Sequence, residues 1–140
     1  MLISLHVNAI SIAQSQKEVL KSTIKTFFSG MKNSDTALIK STLYNEVRLL
    51  TVTESGKLKE EKISEILSLI SSAPINSLDE RIEFSTVEIS GNLAIINTPY
   101  SFYYNGVISY KGLNSFQLIK LNNTWKIFAI TDSKIKKPRN

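Results

Sequence analysis

The first half of the chain carries apolar residues at helical spacing. One stripe predicts a helix over residues 15–31, begun by a capping box of Ser15 and Glu18. Asp35 predicts the N-cap of a short second helix that reaches about Thr42. A second apolar stripe predicts a third helix, which ends before Pro74. The apolar members of the two longer stripes are Leu20, Ile24, Phe27, Phe28, Met31, Ile63, Ile66, Leu67 and Ile70.

The second half changes to runs typical of β-strands, separated by turn residues. Four runs are predicted, over residues 81–90, 93–104, 107–121 and 124–133. Asn105-Gly106 between two of them is a strong hairpin signal. Two earlier strands are predicted, one over residues 46–53 and a short one near Leu58.

Helices followed by an antiparallel meander define an α+β fold. Long strands must twist or bend, and three helices can then cover one face of a curved sheet. The sequence therefore predicts a cone with three N-terminal helices packed on a curved, mostly antiparallel six-stranded sheet. A cavity between helices and sheet is the natural result of that shape.

Composition limits the class of protein more than its function. The 140 residues are enough for one domain, and 42% apolar with 21% charged residues is typical of a globular chain. No apolar run reaches the ~20 residues of a membrane span. The chain has no Cys, which excludes a thiol nucleophile and Cys-ligated metal.

The two ends of the chain differ from the body. Residues 1–13 are apolar and uncharged and end in Ser11-Ile12-Ala13, a small-x-small cleavage pattern that predicts a signal peptide. Because no basic side chain precedes the apolar stretch, either the start lies upstream or the signal is weak. The alternative is an apolar strand or helix packed on the domain. Export would make the protein periplasmic or secreted, and otherwise it is cytoplasmic.

The domain is predicted over residues 14–133, followed by a basic tail over residues 134–140. Four of the net five positive charges lie in that tail, so the body is nearly neutral. Four charges are few for a nucleic-acid footprint, and we interpret the tail as a solvated terminus with no nucleic-acid partner.

Motifs spread over residues 16–131 resemble the nuclear transport factor 2-like (SnoaL-like) superfamily, and within it the putative lumazine-binding family, found widely in bacteria. The resemblance implies the cone-shaped fold and, in many relatives, homodimers. The motifs that carry it are Phe27-Phe28-Ser29-Gly30-Met31 with Asp35 and Leu38, Val47-x-Leu49-x-Thr51-Val52, Gly91-Asn92-Leu93-Ala94-Ile95-Ile96, Pro99-Tyr100-Ser101-Phe102-Tyr103 with Gly106, Gly112, Phe116 and Leu118, and Trp125-Lys126-Ile127.

The chain departs from the family pattern at two positions. Members often have His and Asp where this chain has Tyr110 and Asn114. Asn cannot titrate and a Tyr side chain titrates near pH 10, so neither suits proton transfer at neutral pH. If relatives use that pair for catalysis, this chain has lost it.

Alternating residues on two long strands indicate an apolar pocket wall with a few polar groups, which is typical of small-molecule sites. The alternative is that the aromatic side chains only fill the core. The predicted ligand-binding residues are Tyr100, Phe102, Tyr110, Asn114 and Phe116. The aromatic rings would enclose a small apolar or aromatic molecule, and the Asn114 amide would orient it.

Acidic residues offer a second hypothesis, an isomerase, dehydratase or cyclase with an Asp or Glu base and a Tyr donor. Glu80 and Asp132 are in phase with inward residues, but both lie near strand ends, where we expect solvated charge. The catalytic residues are therefore left unassigned. The sequence shows no metal-ligand spacing and no phosphate-binding or nucleotide-cofactor motif, so no cofactor is predicted.

The outer sheet face offers a third hypothesis, a homodimeric association module. In the last strand Trp125, Ile127 and Ala129 share one phase, and Phe128 and Ile130 share the other. A sheet with two apolar faces is covered on both sides, and a second subunit could cover the outer one. The alternative is an ordinary scatter of exposed apolar residues.

Overall fold

A computed structural model describes the backbone of residues 2–136 and the side chains of residues 11–136. This part of the chain contains three helices and one eight-stranded mixed sheet. The helices are α1 (Leu2–Lys32), α2 (Thr36–Ser41) and α3 (Ile63–Ser72). The strands are β1 (Leu43–Val52), β2 (Leu58–Glu61), β3 (Leu78–Ile82), β4 (Thr86–Ser90), β5 (Leu93–Tyr104), β6 (Val107–Leu121), β7 (Thr124–Ser133) and β8 (Ile135–Lys136).

The sheet has the order β2-β1-β7-β6-β5-β3, with β4 paired to β5 and β8 paired to β6. Every pair is antiparallel except β1 with β7. The predicted α+β cone, with helices on one face of a mostly antiparallel sheet, is confirmed. The predicted strand number is wrong, since eight strands are present instead of six.

The extra strands have local causes. The run predicted over residues 81–90 is divided into β3 and β4, which both pair with β5. The register changes by one residue between the pairs Ile82–Tyr100 and Thr86–Asn97. Pro99 lies at this break, and its missing N–H removes one bond from the ladder. The eighth strand, β8, is a two-residue pairing of the chain end with β6.

The first helix is longer than its apolar stripe. The helix α1 begins at Leu2, so the start predicted for this helix at Ser15 is wrong. No Pro or Gly interrupts residues 2–29, and nothing in that stretch stops a helix. Residues 11–15 are all exposed and Leu20 is the first buried residue among the described side chains of α1, so the helix extends beyond its contact with the body. No helix within the described residues combines the length and apolarity of a bilayer span.

The predicted helical stripes form the helical side of the core. Asp35 caps α2 by accepting a hydrogen bond from the Leu38 N–H at 3.0 Å. Gly30 lets α1 and α2 approach, because a Cβ there would lie 2.6 Å from Ile39 Cγ1. The buried apolar residues of helices and sheet form one cluster, made of Leu20, Ile24, Phe27, Phe28, Ile39, Ile70, Ala94, Ile96, Phe116, Leu118, Trp125, Ile127 and Ile130.

A second glycine allows a close approach, this time between strands of the sheet. Gly112 of β6 lies opposite Tyr100 of β5 and against the backbone of Ser133. A Cβ at position 112 would lie 1.9 Å from the Ser133 carbonyl oxygen and 2.8 Å from Tyr100 Cε1. No side chain fits there, and the backbone carbonyl cannot move aside without breaking its own contacts.

We therefore expect Gly112→Ala to destabilise the protein by at least about 2 kcal/mol, because overpacking against backbone forces strands apart. The neighbouring Leu113→Ala is the control, since Leu113 is exposed on the other face and its loss costs under about 1 kcal/mol. Urea unfolding of the three proteins measures the difference. Equal midpoints for both variants would contradict the assigned strand contact.

Candidate functional site

A cavity of about 370 Å³ lies between the helices and the inner face of the sheet. Its helical side is entirely apolar, and the sheet supplies every polar group except Lys134, which lies between β7 and β8. The lining residues from α1 and α3 are Phe27, Phe28, Met31, Ile66, Leu69 and Ile70. The cavity is therefore amphipathic, with an apolar helical side and polar groups only on the sheet side.

A row of polar side chains crosses four adjacent strands on the sheet wall. Asn114 of β6 lies between Thr98 of β5 and Asp132 of β7. Asp132 in turn lies opposite Thr51 of β1. We call these four residues the polar row. Their alignment follows from the strand register, since residues that pair across strands point to the same face.

Apolar and aromatic side chains border the polar row on both sides. On the closed side, Phe116 is fully buried and makes edge-on contacts with Phe27 and Phe28, at centroid distances of 6.2 and 5.9 Å. On the other side, Phe102 and Tyr110 stack with centroids 4.9 Å apart. The polar row thus lies in the middle of an otherwise apolar wall.

Asn114 connects the polar row to an acidic residue of β3. Its amide Nδ2 donates to Glu80 Oε2 at 2.8 Å and to Thr98 Oγ1 at 3.2 Å. Burial raises the pKa of the Glu80 carboxyl to about 7, and the nearby Asp132 charge also raises it. The Asn114 hydrogen bond and the Lys134 charge act in the opposite direction. Glu80 therefore changes its protonation state near neutral pH.

Asp132 is held by two hydroxyl-bearing residues. The Thr51 hydroxyl donates to Asp132 Oδ1, and the Tyr100 hydroxyl lies 3.3 Å from Oδ2. Tyr100 donates more closely to the Ser133 carbonyl, at 2.8 Å. Burial and the negative charges of Asp132 and Glu80 raise the pKa of Tyr100, so its hydroxyl stays protonated. Tyr100 is a hydrogen-bond donor and cannot act as a base here.

The structure brings together four of the five residues predicted to bind a ligand. Phe102, Tyr110, Asn114 and Phe116 line the cavity. Tyr100 does not line it: the ring packs over Gly112, and its hydroxyl lies 3.3 Å from Asp132 Oδ2.

Glu80 and Asp132, which we expected to be solvated at strand ends, are both half-buried and line the cavity. Glu80 lies at the centre of β3, and the neighbouring strand β5 continues on both sides of it. Asp132 is followed by the pairing of β8 with β6. A strand end in the sequence is therefore not an end of the sheet at this place. In the sequence, the inward phase of Glu80 and Asp132 was the signal that could have found them. Only the strand register shows that both side chains reach the same cavity.

The outer sheet face has a groove of its own. A β-bulge in β7 places Phe128 between the pairs Gln117–Ala129 and Leu118–Ile127. Phe128 and Ala129 both line the outer groove, so the predicted phase of Ala129 with Trp125 and Ile127 is wrong. The homodimer predicted over this face stays a prediction. Among the described residues, no three acidic, His or Cys side chains are placed to hold a metal ion.

The fold and the cavity define a protein of the nuclear transport factor 2-like superfamily. Two solved structures with this fold are proteins of unknown function. The one from Shewanella baltica OS155 has a TM-score of 0.73 at 14% identity, covering 88% of this chain and 96% of its own. The one from Silicibacter pomeroyi DSS-3 has a TM-score of 0.73 at 13% identity, covering 88% and 98%.

A third similar structure, from Streptomyces avermitilis, is described as a putative dehydratase of the same superfamily. It has a TM-score of 0.66 at 12% identity, covering 89% of this chain and 99% of its own. The family model described as "Putative lumazine-binding" matches residues 15–131. The chain belongs to that family. A comparison with curated proteins finds no significant match in sequence.

The Glu80 environment makes a prediction about stability. An acid whose pKa is raised on folding, here from 4.5 to about 7, stabilises the fold below the unfolded value and loses that contribution as pH rises through 7. Glu80→Gln keeps the shape and an acceptor for Asn114 but does not titrate. Between pH 5 and pH 8, wild type should lose about 2–3 kcal/mol relative to this variant.

Urea unfolding at both pH values measures this loss, and titrations shared by the two proteins cancel in the comparison. Glu88→Gln on the exposed face of β4 is the matched control and should follow wild type. If the free energy of unfolding of Glu80→Gln changed with pH in parallel with that of wild type, this would contradict a buried Glu80 carboxyl with a raised pKa.

Proposed function

We propose that this protein binds a small, partly apolar molecule in the cavity between helices and sheet. The observation that carries the proposal is the polar row set within an apolar wall. A volume of about 370 Å³ suits a molecule of one or two rings, since small-molecule sites run from about 300 to 1,000 Å³. The family description supports a small-molecule ligand.

The aromatic and polar residues of the cavity have different roles in binding. The Phe102–Tyr110 stack offers a flat aromatic surface for a ring. Both hydrogens of the Asn114 amide are engaged with Glu80 and Thr98, so Asn114 positions Glu80 instead of orienting the ligand directly. Glu80 and Asp132 are then the polar groups that meet the ligand.

The ligand can be identified from the protein isolated from its native cells. A native mass spectrum shows protein with bound molecule, and a denaturing spectrum releases that molecule for mass determination. The same spectra report the subunit number and whether the chain begins at Met1 or Gln14, which tests the predicted homodimer and export.

We expect Tyr110→Ala to weaken binding of the released molecule about tenfold, because half of the aromatic stack is removed. Tyr103→Ala is the matched control: Tyr103 lies on the same hairpin but stacks on Arg81 outside the cavity. Isothermal titration of both variants measures the affinities. Equal affinities of the two variants would place the ligand elsewhere.

One observation favours a second function, acid–base catalysis. A carboxyl with a pKa of about 7 is equally divided between acid and base at neutral pH, which is optimal for proton transfer. Tyr100 is held protonated behind Asp132, although it does not reach into the cavity itself. An isomerase or dehydratase acting through Glu80 would fit this arrangement, and the Streptomyces avermitilis neighbour carries the dehydratase description.

A base that abstracts protons from carbon also exchanges them with solvent. Wild-type protein in D2O should therefore introduce deuterium into one component of a small-molecule extract of the native cells. Glu80→Gln should lower this labelling at least about 100-fold, the usual contribution of a general base. Mass spectrometry of the extract measures the label, with Glu88→Gln as the control. Equal labelling with and without Glu80 would exclude it as the base.

A further inference from the structure

The charge around the cavity is opposite to the charge of the whole chain. The chain has a net charge of +5. Yet the charged residues lining the cavity are three carboxyl groups, Glu61, Glu80 and Asp132, and one ammonium, Lys134. An acidic cavity in a basic protein favours a ligand that brings positive charge.

Hydrogen-bond donors on the sheet wall are largely engaged within the wall. The Asn114 amide donates to Glu80 and Thr98, the Thr51 hydroxyl donates to Asp132, and Tyr100 donates to Ser133. An ionised carboxylate has about four acceptor sites, and these bonds occupy only a part of them. Apart from the Tyr110 hydroxyl and the Lys134 ammonium, the wall therefore offers mainly acceptors to a ligand.

Within the part of the chain that the structure describes, neither inner carboxyl group, Glu80 or Asp132, forms an ion pair. The Lys134 ammonium lies 5.4 Å from the centre of the Tyr110 ring and is not paired with either carboxyl within 4.0 Å. A place for a cation is thus left open beside the polar row.

Aromatic rings surround this place. Phe102 and Tyr110 border it on one side, and Phe116 with Phe27 borders it on the other. Ring faces attract cations, and more strongly where water is excluded. Carboxylates and aromatic rings together form the kind of site that recognises organic ammonium ions.

We infer that the ligand is a small organic cation whose N–H groups donate to Glu80 and Asp132 and whose apolar body lies against α1 and α3. This inference rests on the proposed binding function and names the class of its ligand. A neutral molecule with a hydrogen-bond donor and an anion paired with Lys134 are the competing ligand classes, and the test below separates them.

The affinity of the protein for a cation should rise as the Glu80 carboxyl ionises. The groups facing Glu80 are Asn114, Asp132, Lys134, Tyr100 and Tyr110, while α1 and α3 contribute only apolar side chains to the cavity. Near pH 7 the free protein must lose the Glu80 proton before the carboxylate pairs with a cation. Affinity should then rise about tenfold from pH 6 to pH 8, as the ionised fraction rises.

Three probes of similar size separate the ligand classes: phenethylamine, phenethyl alcohol and phenylpropionate. Isothermal titration or ligand-observed NMR measures binding at pH 6 and pH 8, in phosphate at fixed ionic strength because Tris is itself an ammonium. At pH 8 we expect phenethylamine to bind at least tenfold more tightly than the alcohol, and phenylpropionate to bind least. The affinity of phenethylamine should show the tenfold rise with pH.

Variants assign the effect to the two carboxyl groups. Glu80→Gln should weaken phenethylamine binding and remove its rise with pH, whereas Asp132→Asn should weaken binding and move the rise to lower pH, because the Asp132 charge raises the pKa of Glu80. Glu88→Gln, exposed on β4, should leave both properties unchanged. Circular dichroism and thermal unfolding confirm that each variant is folded.

The outcomes distinguish this inference from the proposed function beneath it. Tighter or equal binding of the alcohol or of phenylpropionate overturns the organic cation, while the binding pocket stands. A phenethylamine affinity that is flat with pH, or equally pH-dependent in Glu80→Gln, overturns the role of Glu80. If no probe binds up to millimolar concentration and native spectra show no bound mass, both the cation and the proposed function fail.

Discussion

The need to satisfy polar groups inside an apolar wall is the constraint on which this structure depends. Asn114 is 4% exposed and Thr98 is fully buried, and an unpaired polar group at such a position costs about 1–3 kcal/mol. Their partners come from neighbouring strands, so they are satisfied only in one register. A slip of one residue would turn the polar row to solvent and the opposite face inward. The hydrogen bonds therefore select the alignment that also forms the cavity.

Local sequence signals predicted the elements well and the site only in part. The long strands agree with the predicted runs 93–104, 107–121 and 124–133, because Asn-Gly turns and alternation act over a few residues. The division of residues 81–90 at Pro99 depends on the partner strand. The meeting of Thr51 with Asp132 depends on a parallel pairing of residues far apart in sequence. Spacing within a strand contains no information about either contact.

The two departures from the family pattern acquire a physical meaning in the folded chain. The position where relatives often have Asp holds Asn114, whose amide donates to the Glu80 carboxyl on β3. Glu80, one of the three carboxyl groups of the cavity, thus lies on β3, two strands away from β6, and is held by the Asn114 amide. Tyr110, at the usual His position, contributes a stacking surface instead of a titrating group. The polar groups of the cavity therefore come from several strands of the sheet.

The bulge at Phe128 has a consequence for the cavity on the opposite face of the sheet. Strict alternation from Trp125 would turn Thr131 inward and Asp132 outward. The one extra residue reverses the phase and brings Asp132 to the cavity. Closing this bulge without deleting a residue would exchange the Asp132 side chain for that of Thr131 on the cavity wall, whereas deleting Phe128 would leave Ile130 and Asp132 inward. The acidity of the cavity therefore depends on the backbone geometry of β7 as well as on which residue stands at position 132.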